Sequence, residues 1–209
     1  MSSASYLVPV VVAPSCSRSE FTIKRSRFIT SMARTSSVEE AKAFIAAISA
    51  EFSDARHNCF AFNAKEPGAS GYIGCSDDGE PHGTAGQPML NIITHSGIGE
   101  ICAVVTRYFG GILLGTGGLV KAYQDSIKEG LKVLEVTPRV LTVRLRLSVS
   151  PKLVSRVFKL NQDTGAQITE SSYEAEASFT VELPQNQVER YSAQLNSLSA
   201  GQCRLEQLS

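Results

Sequence analysis

Hydrophobic and polar positions change period several times along this chain. Residues 20–32 read as a strand-like run. Ser37-Val38-Glu39-Glu40 follows, and a Ser three residues before a Glu is a capping box, so a helix is predicted to start there. Its apolar positions Val38, Ala41, Ile45, Ile48 and Phe52 recur at helical spacing, the signature of an amphipathic helix laid on a sheet. Residues 56–63 read as a strand. Residues 65–86 carry Gly, Pro, Ser and Asp at a density that breaks both helix and strand, and read as a long loop around Asp77-Asp78-Gly79-Glu80-Pro81. A short helix is expected over 87–95, and Ile101-Cys102-Ala103-Val104-Val105 has the length of a buried strand. The segment from Thr106 to Gly118 reads as a glycine-rich loop feeding a helix with Leu119, Tyr123, Ile127, Leu131 and Leu134 on one face. Thr116 is its expected N-cap, and the helix ends before Pro138.

Beyond Pro138 the alternation is cleaner. Leu141, Val143, Leu145, Leu147 and Val149 alternate with Thr142, Arg144, Arg146 and Ser148, a strand with one dry and one wet face. Ser150-Pro151 is expected to cap a helix, followed by strands near 166–173 and over 177–183. A helix bearing Val188, Tyr191, Leu195 and Leu198 and a closing strand near 202–208 complete the order β-α-β-β-α-β. That order predicts a ferredoxin-like antiparallel sheet with both helices on one face. Glycine usage divides the chain in the same place, because 13 of 16 glycines lie between Gly68 and Gly118. Two α+β domains are expected, over 20–136 and 137–209, after an N-terminal segment 1–19 and with a linker near 136–139.

Composition narrows the function classes. The 209 residues are 43% hydrophobic and 19% charged, enough to bury a core. Twenty basic residues balance twenty acidic ones, so no global field draws the chain onto nucleic acid or anionic lipid, and any such contact needs a local patch. No apolar run is long enough to cross a membrane, and Leu7 to Ala13 lacks the basic flank of an export signal. Five cysteines form no CxxC pair or zinc-finger spacing, which reads as reduced thiols in the cytoplasm.

Three features carry candidate chemistry. The first is the glycine loop Gly110, Gly111, Gly115, Thr116, Gly117 and Gly118 with Lys121 in the following turn, because successive backbone N–H groups at a helix N-terminus make an anion site. It lacks the Lys of a P-loop and the third Gly of a dinucleotide fingerprint, and a tight crossover against a sheet would use the same glycines. The second is basic. Alternation through Lys24-Arg25-Ser26-Arg27 puts Arg25 and Arg27 on one face, where they would join Arg56 and Arg107 in a phosphate-contacting patch if helices cover the opposite face. The plainer alternative is a solubilised edge strand. The third is Asp77, Asp78 and Glu80 with His82, His57 and Cys59, which would serve a Mg²⁺ ion or an activated thiol, against a solvated turn and a buried thiol.

Joined, Lys24-Arg25-Ser26-Arg27-Phe28-Ile29, the run Ser76-Asp77-Asp78-Gly79-Glu80-Pro81 with Gly83-Thr84-Ala85-Gly86, and Thr106-Arg107-Tyr108-Phe109-Gly110-Gly111 continuing to Tyr123 resemble the YigZ/IMPACT family, in its bacterial YigZ-like branch. The resemblance implies an N-terminal domain of the ribosomal protein S5 second-domain type and a C-terminal ferredoxin-like domain similar to those ending elongation factor G. It links eukaryotic relatives to control of translation initiation through protein partners. No cofactor is expected.

Three functions follow as expectations. The leading one is a cytoplasmic RNA- or ribosome-associated regulator of translation, gripping phosphates through Arg25, Arg27, Arg56, Arg107, Lys121 and the glycine loop. The second is a metal-dependent enzyme on a phosphorylated small molecule, with Asp77, Asp78 and Glu80 as ligands. The third is a protein-binding adaptor whose uncharged segment around Tyr108 and Phe109 is the interface.

Overall fold

The structure is a computed structural model that describes residues 5–208. Its strands are β1 (Ser5–Pro9), β2 (Ser17–Ile23), β3 (Ser26–Arg34), β4 (His57–Asn63), β5 (Ile73–Ser76), β6 (Ile101–Tyr108), β7 (Val136–Val140), β8 (Thr142–Val149), β9 (Gln167–Tyr173), β10 (Ala177–Pro184) and β11 (Arg204–Leu208). Its helices are α1 (Val38–Glu51), α2 (Gly86–His95), α3 (Thr116–Val133), α4 (Val154–Thr164) and α5 (Val188–Ser199). Two compact units result, Tyr6–Arg139 and a second from Val140 onward.

In the first unit five strands pair antiparallel in the order β2-β3-β6-β4-β5. The expected single strand over 20–32 is a hairpin, because Lys24 and Arg25 adopt positive φ (46° and 64°) and turn the chain between β2 and β3. Their side chains therefore leave the alternation that had assigned them faces. β6 is the central strand and both its faces are covered. Phe28, Met32, Cys59, Ala61, Ala103 and Val105 meet α2 and α3 on one face, while Ala33, Phe62, Cys102 and Val104 meet α1 on the other. A strand buried on both faces reads as an unbroken apolar run, which is why 101–105 was legible.

Helix α1 starts where the capping box predicts: Ser37 Oγ accepts the Glu40 N–H at 3.1 Å. The reciprocal Glu40 carboxylate reaches one residue further, to the N–H (2.7 Å) and hydroxyl (3.0 Å) of Ser36. Ala41, Phe44 and Ile48 form its buried stripe. Within the expected loop 65–86 the chain also forms β5, an edge strand of four residues too short to show a period.

The segment expected as a linker is strand β7, paired with β1 from the N-terminal segment the sequence left unassigned. Pro138 is tolerated because β7 lies in a two-stranded ribbon with an unpaired edge. Glu100 ties this ribbon to the main sheet. Its side chain, 3% exposed, accepts from the Tyr6 hydroxyl, Arg34 Nε and Arg139 Nη1, each at 2.7 Å.

The second unit has strand order β11-β8-β10-β9, all antiparallel, the ferredoxin-like arrangement. Leu145, Leu147, Val149, Phe179, Val181 and Leu183 face α4 and α5, and the Tyr191 hydroxyl donates to Asn161 Oδ1 at 2.8 Å between the helices. Ser150 makes no capping bond. A 3₁₀ turn over Pro151–Leu153 precedes α4, so Leu153 stands at the helix start.

Glu100→Ala strands two guanidinium groups around a vacated carboxylate. We expect a loss of about 3 kcal/mol, the scale for removing one partner of a largely buried ion pair. Urea unfolding should show it as a lower midpoint at unchanged slope.

Candidate functional site

Strand β6 continues through Thr106, Arg107 and Tyr108, which the sequence had placed in the glycine loop. Alternation then separates the basic residues. Arg107 is paired in register with Phe28 and His57 and faces α2 and α3, whereas Tyr108 is paired with Arg27 on the α1 face. Arg27 and Arg107 thus lie on opposite faces of a sheet that has helices on both, and the patch of Arg25, Arg27, Arg56 and Arg107 does not form. Arg27 makes a bidentate pair with Glu20 at 2.7 and 2.9 Å, and Arg25 sits exposed in the β2–β3 turn. Lys121 is exposed on α3, outside the cavity described below. Tyr108 and Phe109 part as well: the Tyr108 hydroxyl donates to Asp54 at 2.7 Å, and Phe109 turns to Arg107.

Arg107 is buried, with a side chain 7% exposed. Its Nη1 donates to Glu80 Oε1 at 2.6 Å, and the same oxygen accepts the Tyr123 hydroxyl of α3 at 2.8 Å. The guanidinium lies 5.6 Å from the ring centre of Phe28 and 5.7 Å from that of Phe109. Its Nε has no hydrogen-bond partner.

The acidic turn that delivers Glu80 is built by its own carboxylates. Asp77 Oδ2 accepts the Gly83 N–H at 2.7 Å, and Oδ1 accepts those of Ala85 and Gly86 at 2.9 and 2.8 Å, ahead of α2. Burial opposes ionisation of Asp77, but the three N–H groups outweigh it and hold the carboxyl below its ordinary value. Asp78 Oδ2 accepts the Asn58 N–H at 2.6 Å, and His57 Nδ1 donates to the Asp78 carbonyl at 2.7 Å. With these oxygens committed, Asp77, Asp78 and Glu80 do not converge on a cation. Among the described residues no three His, Cys, Asp or Glu side chains are grouped to hold a metal. Cys59 donates to the Asp77 carbonyl at 2.9 Å and to Tyr123 Oη at 3.3 Å, and burial pushes its thiol up to about 12, far from a thiolate nucleophile.

The glycines have separate reasons. A Cβ on Gly110 would lie 2.0 Å from the carbonyl carbon and oxygen of Arg25, so only glycine lets this segment cross the β2–β3 turn. Gly115 has φ +74° and is the N-cap of α3, which moves Thr116 from the expected cap to the first helical position. Gly111 also has positive φ, and a Cβ on Gly118 would press on Leu114 at 3.2 Å. The first intrahelical bond is Leu119 N–H to the Gly115 carbonyl, so the N–H groups of Thr116, Gly117 and Gly118 have no acceptor among the described residues.

A half-open cavity of about 320 Å³ has Arg56, Arg107, Glu80 and Thr116 on its polar side and Phe109 and Leu113 among its apolar residues, while Gly110, Gly111, Gly117 and Gly118 lie outside its lining. Of the residues the sequence nominated for phosphate, Arg56, Arg107, Gly115 and Thr116 meet here, joined by Phe109 from the interface reading and by Glu80 and His57 from the acidic feature. It missed Glu80 as the buried partner of Arg107, and Tyr123 as a hydrogen-bonding group within an apolar stripe; a Tyr among leucines facing a strand that carries an Arg was the available signal.

The Impact N-terminal domain model matches residues 24–131, and a domain of unknown function (DUF1949) matches residues 147–202. The chain belongs to the IMPACT family. It is 45% identical over 183 residues to the IMPACT family member YigZ of Escherichia coli (strain K12), across 88% of this chain and 90% of that relative. An IMPACT family member of Haemophilus influenzae is 40% identical over 98% of both chains, and YvyE of Bacillus subtilis is 34% identical over 90% and 86%. A crystal structure of an hypothetical protein, 41% identical, superposes with a TM-score of 0.71 and covers 99% of this chain and 98% of that one. The cavity lies wholly in the part matched by the Impact domain.

Glu80→Ala leaves Arg107 buried and unpaired. We expect a cost of about 3 to 5 kcal/mol, with the double variant Glu80→Leu/Arg107→Met costing less than Glu80→Ala alone. Denaturant unfolding of the three proteins checks it. Asp77 gives a pH signature. Because its folded pKa is depressed, its contribution is full above the unfolded value of about 3.9 and is lost as pH falls below that. Asp77→Asn should lower stability at pH 7 and make the decline between about pH 5 and 2 shallower in thermal melts.

Proposed function

We propose that this chain is a cytoplasmic RNA-binding protein of the translation apparatus, and that it holds phosphate at the N-terminus of α3. One observation carries the reading. The 18-residue helix starts with three unpaired N–H groups, and Thr116, which carries the first of them, lines a cavity with Arg107, a buried guanidinium with an unpartnered Nε, and with Arg56, which is exposed and has no ion-pair partner among the described residues. Helix ends of this kind favour anions through both the N–H groups and the helix dipole. Membership of the IMPACT family supports a shared family role, within which translation is the finer assignment.

The commitment of Asp77 and Asp78 to backbone N–H groups weighs against the metal-dependent enzyme. In the second unit the open sheet face engages its own polar groups, Arg144 pairing with Glu170 at 3.4 Å and the Thr142 hydroxyl donating to Glu182 at 2.6 Å. Among the described residues that face offers no aromatic stacking platform of the kind single-stranded RNA readers use, so the helix end in the first unit is the better candidate.

Fluorescence anisotropy with labelled single-stranded RNA and with ribosomal subunits tests the reading. Affinity should fall as salt rises from about 50 to 200 mM, and Arg56→Ala should weaken binding several-fold and reduce the log–log salt slope by about 1. Arg56 is the residue to change because it is exposed, so the fold survives its loss. Affinity and slope unchanged by Arg56→Ala would remove this cavity from the interface.

A further inference from the structure

We infer that the cavity at the start of α3 takes a single nucleotide by its terminal phosphomonoester, rather than the interior of an RNA strand. The inference rests on the phosphate-binding reading above and specifies its ligand. Size is the first argument. At about 320 Å³ the cavity falls in the roughly 300 to 1,000 Å³ range of small-molecule sites and exceeds what a lone phosphate would fill.

Charge is the second. Glu80 already cancels Arg107, so the net positive character comes from Arg56 and the helix end. A monoester brings about −1.5 to −2 charges and three unesterified oxygens, which suits the free Thr116 N–H, the unpartnered Nε of Arg107 and the exposed Arg56, with the N–H groups of Gly117 and Gly118 next along the helix start. An internal diester brings one charge and two free oxygens. Glu80 also lines the cavity, and its fixed carboxylate disfavours a further phosphate continuing past that wall. On the apolar side Phe109 is 45% exposed and Leu113 is 81% exposed, large side chains left uncovered where a base would stack.

Gly117, next in sequence to the cavity-lining Thr116 but not itself in the lining, is the third argument. Its φ is not in the left-handed region, and a Cβ there would meet nothing within 4 Å, so the fold does not require glycine. Glycine within a helix is less stable than alanine. Cα–Cβ bonds tilt toward the helix N-terminus, so a methyl group on residue 117 would lie beside the free N–H groups of the helix start, at the edge of the cavity that Thr116 lines. Close approach of the backbone to a ligand explains what packing does not.

The experiment compares one short single-stranded RNA carrying a 5′-phosphate, a 3′-phosphate or hydroxyls at both ends, with AMP and adenosine as competitors, for the wild type, Gly117→Ala and Phe109→Ala. We expect a phosphorylated end to bind about tenfold tighter than the hydroxyl-ended strand, AMP to compete where adenosine does not, and Phe109→Ala to weaken AMP. Gly117→Ala should abolish the preference while the Tm holds or rises. Equal affinity for phosphorylated and hydroxyl ends overturns the inference and leaves RNA binding standing. A preference that survives in Gly117→Ala also overturns it. Binding of AMP without any RNA keeps the monoester site and overturns the RNA reading, and binding of neither removes both.

Discussion

A charged pair sealed inside the first unit sets the terms for everything around it. Removing two ions from water costs several kcal/mol each, and the attraction of Arg107 for Glu80 offsets this only if both are held in register with further hydrogen bonds. Three elements distant in sequence supply that register. β6 fixes Arg107 between Phe28 and His57, the acidic turn presents Glu80, and α3 brings the Tyr123 hydroxyl to the same carboxylate oxygen. The acidic turn cannot wander, because Asp77 and Asp78 pin it to the start of α2 and to β4. The start of α3 cannot wander either, since the body of the helix is sealed over the sheet through Leu119, Tyr123 and Ile127.

Under the proposed function, this constraint explains how a chain without net charge presents an anion site. The positive character of the cavity comes from Arg56 and the helix start, and no lysine lines it. The Arg107–Glu80 pair is neutral as a unit but directional, so it orders a guanidinium at the cavity without charging the whole surface. A surface built from unpaired lysines would attract any polyanion, whereas the proposed site on a protein without net charge would discriminate by the geometry of its N–H groups.

Legibility from sequence followed the physics of each element. The ferredoxin-like order was readable because one face of its sheet is dry and the other wet, so Leu145, Leu147 and Val149 alternate with Arg144, Arg146 and Ser148. Helix α1 was readable because Ser37 caps by a strictly local bond. What failed was non-local or short. Lys24 and Arg25 lack the Asn-Gly pair that marks two-residue turns, so the hairpin was read as one strand. β7 exists only because β1 pairs with it, and nothing local in either announces the partner. The basic patch failed for the same reason: facing is decided by strand register, and register placed Arg27 opposite Tyr108. An acidic turn read as solvated or metal-binding became an N-terminal anchor for α2 because the donors Gly83, Ala85 and Gly86 are recognisable only once the turn has closed.

The glycine loop shows how far a motif can be divided by mechanism. Gly110 is demanded by a neighbouring backbone, and Gly115 by its own φ. Both would be needed in a protein that bound nothing, so their presence says little about function. Gly117 is demanded by neither, in a helix where alanine would be the more stable choice. Residues that the fold does not need, and that local propensity disfavours, are where binding leaves its mark on a sequence. The same criterion applies to Phe109 and Leu113, exposed beside a buried arginine whose Nε lacks a partner. A sequence motif of six glycine-loop positions thus reduces to one or two that carry information about a ligand, and these adjoin the unpaired N–H groups of α3.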